Sequence, residues 1–306
     1  MRKRWLPIFA ARRTNVSLNR GKPADRTDPV RTESNPACSR REALGKLAAL
    51  LAAGLWPGAL RAAAMGVPAA EFTFVAANDF HHREPACDAW FAALFRQIAA
   101  HIQVEFCLGL GDLADKGRPE SMTTIARLAK EAGLRFHVTP GNHDNDLEES
   151  TAVFDRVLPG QLNYTFAHRA WQFVVIDSTD GKKWGQTHVQ PATLAWLDTA
   201  LPKLNPQAPL VLATHFPLAS STPLCPLNAE EVLAKFVPYN LRLVLGGHHH
   251  GRTEATRGSY TLVTNACCSR VAGNHDGTKA KGYWLCRTQA DGGVRREFVE
   301  FSGPAA

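Results

Sequence analysis

The sequence predicts an α/β fold built around parallel strands, and three features carry that expectation. Five short apolar runs, rich in β-branched and aromatic residues, read as buried strands. Each run ends in a short polar cluster. The first three clusters stand roughly thirty residues apart, the length of one βαβ unit.

The first run, Phe72-Thr73-Phe74-Val75-Ala76-Ala77, leads into Asp79-Phe80-His81. Ala86–His101 then carries helical spacing, with Trp90, Leu94 and Ile98 on one face. Val104-Glu105-Phe106-Cys107-Leu108 leads into Gly111-Asp112-Leu113-Ala114-Asp115, and Pro119–Ala132 reads as a second helix. Leu134-Arg135-Phe136-His137-Val138 precedes Gly141-Asn142-His143-Asp144. Leu210-Val211-Leu212-Ala213 precedes His215, and Leu241-Arg242-Leu243-Val244-Leu245 precedes Gly247-His248-His249-His250. Two further strand-like runs, Ser259–Ala266 and Gly282–Arg287, flank a loop that holds Gly273-Asn274-His275-Asp276. The clusters therefore collect beyond the carboxyl ends of neighbouring strands, where open α/β sheets place their sites.

Charge divides the chain. The whole is basic, with a net charge of +7. Residues 1–64 hold 13 Lys/Arg against 4 Asp/Glu, and residues 65–306 hold 22 against 24, a balance of about −2. The second part is thus not a basic nucleic-acid binder. Ser39-Arg40-Arg41-Glu42-Ala43-Leu44-Gly45-Lys46 is similar to a twin-arginine export signal. The apolar stretch from Leu47 to Leu55 that follows is too short to span a bilayer, and Ala62-Ala63-Ala64 offers a cleavage site. The expectation is a leader over residues 1–64, polar and disordered before the signal, and one domain over residues 65–306. That reading implies the twin-arginine machinery as a partner, a periplasmic or secreted location, and no transmembrane anchor in the mature chain. Six of the seven cysteines fall in the second part, so an oxidising compartment would leave 15 possible pairings open. Cys107 reads as a buried apolar residue of a core strand.

The clusters supply carboxylates, imidazoles and one amide, the donor set of a hard-to-borderline divalent cation site. Two such cations about 3.5–4 Å apart would clamp an in-line displacement at phosphorus. His101, His137, His168 and His188 have no ligand-spaced partner and read as ordinary surface or core histidines. His82 and His249 flank candidate ligands, and Lys116 follows Asp115 closely enough to contact a substrate phosphate.

The order DxH, GDxxD, GNHD, H, GHxH resembles the calcineurin-like metallophosphoesterases, from about Phe72 to the C-terminus. The resemblance implies a four-layer αββα sandwich of two mixed β-sheets flanked by helices. It implies metal ligation by Asp79, His81 and His250 at one ion, by Asn142, His215 and His248 at a second, and by Asp112 at both. The ions would be two divalent metals drawn from Mn, Fe, Zn or Co. His143 would handle the leaving-group proton, with the Asp115 carboxylate orienting it. The implied reaction is hydrolysis of phosphomono- or phosphodiesters by a hydroxide shared between the ions. Purple acid phosphatases carry Tyr where Asp115 stands, so an iron–tyrosinate site is not expected. Asp79-Phe80-His81-His82 and Thr214-His215-Phe216-Pro217 are similar to the DxHL and HHP stretches of cyclic-nucleotide phosphodiesterases. A 3',5'-cyclic-nucleotide phosphodiesterase in the narrow sense and a non-catalytic metal-binding scaffold are the alternatives. His275, in the late copy of the third motif, is read as a loop residue near the substrate at most.

Overall fold

The computed structural model describes residues 70–304, and the expected leader and its cleavage site lie outside them. The chain runs through β1 (Thr73–Ala77), α1 (Asp88–Ala100), β2 (Val104–Leu110), α2 (Pro119–Glu131), β3 (Phe136–Thr139) and α3 (Ala152–Val157). It continues through β4 (Tyr164–His168), β5 (Trp171–Val175), α4 (Pro191–Ala200), β6 (Leu210–Ala213), α5 (Ala229–Ala234) and β7 (Leu241–Leu245). β8 (Glu254–Arg257), β9 (Tyr260–Val263), β10 (Gly282–Thr288) and β11 (Val294–Glu300) complete it.

One sheet has the order β11-β10-β1-β2-β3, with β1, β2 and β3 parallel and β10 antiparallel to β1. The other has the order β4-β5-β6-β7-β9-β8, with β5, β6, β7 and β9 parallel. The expected two mixed sheets are therefore present. Parallel neighbours need a crossover connection, which α1, α2, α4 and α5 supply.

Three buried clusters define four layers. Phe91, Leu94, Phe95 and Ile98 of α1 pack with Ile125 and Leu128 of α2 against Val75, Cys107 and Val138 of the first sheet. Phe74, Phe106, Phe173, Val211 and Leu243 fill the space between the sheets. Leu197 of α4 and Leu233 of α5 cover the outer face of the second sheet through Val174, Leu212 and Val244. β1 and β2 are buried on both faces, which is why their sequences run apolar instead of alternating. Phe74 and Phe106 stack at 5.3 Å, and Phe173 meets both rings edge-on, adding about 0.5–1.5 kcal/mol per pair to simple burial.

Helix boundaries follow local chemistry. Pro119 and Pro191 open α2 and α4 at positions where no N–H is needed. Gly133, with φ of +79°, ends the α2 segment in the left-handed region. The β4–β5 hairpin was not anticipated, because β4 is half-exposed and has no fully buried residue. The six described cysteines are all free thiols, five of them buried, so no disulfide joins the described residues. No helix among those residues is long and apolar enough to cross a membrane.

Candidate active site

The turns after β1, β2, β3, β6 and β7 bring their polar clusters to one place. Asp79, His81, Asp112 and His250 place one donor atom each within 4.8 Å of one another, and so do Asp112, His215 and His248. Asp112 belongs to both groups. Its Oδ2 lies 3.4 Å from His81 Nε2, and its Oδ1 lies 3.5 Å from His215 Nε2. Asn142 joins the second group, its Oδ1 3.2 Å from His215 Nε2. All seven residues expected as ligands are thus gathered, and all are buried.

Local backbone geometry aims these side chains. Asp79, His81, Asp112, His248 and His250 have φ between 47° and 62°, a left-handed conformation that costs a non-glycine residue of order 1–3 kcal/mol. The strain is held by hydrogen bonds between neighbouring turns: Asp79 N–H to Gly111 O, His81 N–H to Asp112 O, and Gly247 N–H to His215 O. Gly141 is required by close approach, since a Cβ there would overlap Asp112 Oδ1. Gly111 combines φ of +84° with contact to the His215 ring, which excludes any side chain.

Main-chain carbonyls set the tautomers. His215 Nδ1 donates to Leu110 O at 2.8 Å, and His250 Nδ1 donates to Gly273 O at 2.8 Å, leaving each Nε2 lone pair facing inward. His248 reverses this, with Nε2 donating to Trp184 O at 2.8 Å and Nδ1 turned to the cluster. His81 Nε2 and His250 Nε2 face each other at 3.1 Å. Asp79 accepts His248 N–H through Oδ2 at 2.9 Å, and its buried Oδ1 has no hydrogen-bond donor. Converging lone pairs and an orphaned carboxylate oxygen are what a divalent cation satisfies, so these residues fit a metal.

The electrostatics agree. Against burial, His250, then His215 and His81, hold the Asp79 carboxyl well below the ordinary carboxylate range. Asp112 is likewise lowered, against burial, by His215, His81 and His143. Against its own burial, the Asp79 charge pushes His250 up to about 11. Burial, with His215 alongside, pushes His248 down to about 3.

His143 is half-buried at the cavity wall, its N–H donating to Asp112 Oδ1 at 2.9 Å. Its Nδ1 donates to Asp115, but to the main-chain carbonyl at 2.8 Å. The expectation that the Asp115 carboxylate orients His143 is therefore corrected. That carboxylate turns instead to Arg83, whose Nε donates to Oδ2 at 3.0 Å, and lies 3.7 Å from His81 Nδ1. His81 and then Arg83 hold the Asp115 carboxyl below its usual range against partial burial. An Asp115 carboxylate oxygen still lies within 4.8 Å of ring nitrogens of His81 and His143, so the carboxylate neighbours His143 while the main-chain carbonyl makes the hydrogen bond.

Asp144 has a part the sequence reading did not assign. Its carboxylate accepts from Leu113 N–H at 3.1 Å, Ala114 N–H at 2.8 Å and Gly141 N–H at 2.9 Å. It locks the turn after β2 to the turn after β3. Burial, then the Asp112 charge, pushes its carboxyl up to about 7, while the three N–H donors pull the other way. The signal was its place in the third cluster. Trp184, by contrast, gave no signal at all.

The remaining candidates sort by contact. His82 turns away to Asp88 at 2.8 Å, and His249 stays outside the donor groups. His101 meets Tyr283 Oη, His137 stacks on Phe166, His168 pairs with Glu105, and His188 is exposed, as expected of histidines without ligand-spaced partners. His275 stacks on His250 at 4.7 Å and lines the cavity. Cys267 is buried behind His250 and accepts from Lys281 Nζ at 2.9 Å.

The calcineurin-like phosphoesterase profile matches residues 72–252, and the chain belongs to that family. The buried, convergent carboxylates and imidazoles at the strand ends, together with the family match, make the chain a metal-dependent phosphoester hydrolase. A 3',5'-cyclic-nucleotide phosphodiesterase of Nostoc sp. is 28% identical over 173 residues, covering 53% of this chain and 62% of that protein. A protein of Fibrobacter succinogenes named "Probable cyclic nucleotide phosphodiesterase" is 30% identical over 149 residues, covering 46% and 55%. The matches thus span little more than half the length of these curated relatives. Among solved structures, GAP50, the anchor in the inner membrane complex of Plasmodium, aligns with a TM-score of 0.56 at 15% identity, over 76% of this chain and 86% of its own. A 5'-nucleotidase from Candida albicans aligns with a TM-score of 0.51 at 12% identity, over 76% and 51%. These two likenesses concern the fold alone.

Proposed function

We propose that the chain is a dinuclear metal-dependent phosphoesterase that hydrolyses phosphomono- or phosphodiesters. The observation that carries this reading is the double membership of Asp112, whose two carboxylate oxygens face histidines of different donor groups. Asp79, His81 and His250 would hold one divalent ion, Asn142, His215 and His248 the other, and Asp112 both. Bound there, such ions supply charge neutralisation at phosphoryl oxygens and lower the pKa of water enough for nucleophilic attack near neutral pH.

The chain's own residues supply the rest. His143 keeps Nδ1 on the Asp115 carbonyl, which leaves Nε2 free to give a proton to a departing alkoxide. Against burial, the Asp112 charge and that carbonyl raise its pKa, favouring the protonated donor form. Carbonyls on His215, His248 and His250 fix which nitrogen of each ring faces the cluster. Turnover of p-nitrophenyl phosphate and bis(p-nitrophenyl) phosphate by purified protein with Mn²⁺ tests the reading. No turnover with Mn²⁺, Zn²⁺, Co²⁺ or Fe²⁺ would favour the metal-binding scaffold.

A second reading, a 3',5'-cyclic-nucleotide phosphodiesterase in the narrow sense, is favoured by the names of the two curated relatives. Release of 5'- or 3'-monophosphate from cyclic AMP or cyclic GMP tests it. Export through the twin-arginine pathway to the periplasm or beyond belongs to the same proposal and rests on Arg40-Arg41 and the apolar stretch that follows.

A further inference from the structure

The metal-ligand cluster opens into two chambers of unlike chemistry, and His143 and Asp115 stand between them. One, of about 440 Å³, has Trp184, Leu224 and Ala272 along one side, with His275 at the rim. The other, of about 330 Å³, has Lys116 and Lys182 with the exposed Leu147. Neither lysine pairs with a carboxylate among the described residues. Lys182 and Trp184 lie two positions apart, so one loop furnishes a wall of each chamber.

Trp184 is the one aromatic among the strongly exposed large apolar side chains of the described residues, at 70% exposure. Water around an indole is unfavourable, and leaving it uncovered beside a polar cluster forgoes the burial of a large apolar surface. Its backbone is nevertheless fixed, because its carbonyl holds His248 Nε2 at 2.8 Å. Leu224 stands against the next residue, where a Cβ on Gly185 would meet Leu224 Cδ2 at 3.7 Å. Leu224 itself is held at φ of +66°, a strained conformation for a leucine. On the far side, His275 lies parallel to His250 at 4.7 Å and 14°, and its N–H donates to His250 O. Both rims are thus anchored on candidate metal ligands, one on each donor group.

We infer that Trp184 and Leu224 form a subsite for the planar base of a nucleotide ester whose phosphate lies on the ligand cluster. The inference rests on the phosphoesterase reading and adds the substrate's second half. A flat base covers the indole by stacking, which is sequence-tolerant and worth enough to govern selectivity. The chamber falls within the size range of small-ligand sites. Apart from His143, which lines both, the lysine chamber offers no ring to stack on, so the base enters on the Trp184 side. An aliphatic alcohol of the same ester would leave the indole wet.

The test uses the Mn²⁺-loaded protein with two diesters, 3',5'-cyclic AMP and glycerophosphocholine. Trp184→Ala keeps the main-chain carbonyl, and metal content verifies that His248 is undisturbed. The ratio of kcat/KM for the nucleotide to that for the aliphatic diester should fall about tenfold or more, carried mainly by KM. Trp184→Phe should recover most of the ratio. An unchanged ratio overturns the subsite. If the native protein hydrolyses neither ester, the phosphoesterase reading has failed and a binding measurement decides the subsite alone. Adenosine 5'-monophosphate, but not glycerol 3-phosphate, should then quench tryptophan fluorescence, and Trp184→Phe should abolish the quench. No quench in the native protein overturns the proposal.

Discussion

The main-chain N–H of His143 donates to Asp112 Oδ1 at 2.9 Å, tying the candidate proton donor to the carboxylate that both donor groups share. Any movement of Asp112 therefore reaches His143 through the backbone, and the two ends of the proposed chemistry stay in register. Asp144 reinforces the link by gripping the turns that carry both residues.

Asp112→Asn should abolish turnover and reduce bound metal to about one ion or fewer per chain. The amide keeps an acceptor for His143 N–H but loses the charge needed by both donor groups. Elemental analysis of the purified variant checks this. Two ions retained with near-native activity would remove Asp112 from the bridging position.

His143→Ala separates proton transfer from metal binding. The variant should retain its metal and lose roughly 10²–10⁴-fold in turnover on esters with poor leaving groups. The loss should shrink for p-nitrophenolate, which departs without protonation. Equal losses on both kinds of ester would point to transition-state charge stabilisation instead.

Asp144→Ala should weaken the fold as well as the site. Three buried N–H groups lose their acceptor, and each unmet donor costs about 1–3 kcal/mol before water recovers part of it. A net loss of about 3 kcal/mol lowers Tm by about 6–12 °C for a domain of this size. Asp144→Asn, with one amide oxygen left to accept, should lose less. Calorimetry showing a native Tm in the alanine variant would contradict the clamp.

Much of this was legible in the sequence, for a physical reason. β6 and β7 fall where the apolar runs Leu210–Ala213 and Leu241–Leu245 lie, because a strand buried on both faces cannot disguise itself. All seven candidate ligands meet, since the carboxyl ends of neighbouring parallel strands lie side by side. Contacts made through main-chain atoms left no trace. The Asp115 and Trp184 carbonyls hold His143 and His248, and a carbonyl has no sequence signature. The β4–β5 hairpin escaped because its first strand is half-exposed, with Thr165 and Ala167 facing out and no residue fully buried.

Replacing both Arg40 and Arg41 with Lys should leave unprocessed precursor in the cytoplasm, with metal bound and activity intact. Ligands from five strand ends meet only after both sheets form, so metal loading accompanies folding and favours a pathway that carries folded chains. Fractionation and mass measurement of the mature N-terminus check this, with Met65 as the expected first residue. Normal export of the double variant would refute the twin-arginine reading and leave the site untouched.

Gly141→Ala offers the most local test of the site geometry. The Gly141 backbone, at φ −107° and ψ 174°, suits alanine, so the substitution brings no conformational strain of its own. The added methyl would overlap Asp112 Oδ1 and approach Asp112 N, a space that no flexible side chain can vacate. Asp112 must therefore shift, and a displacement near 1 Å at a positioned group costs on the order of 10² in rate. Turnover and metal content should fall together while circular dichroism stays native. Full activity in this variant would mean that Asp112 tolerates displacement, which neither its shared position between the donor groups nor its bond to His143 allows.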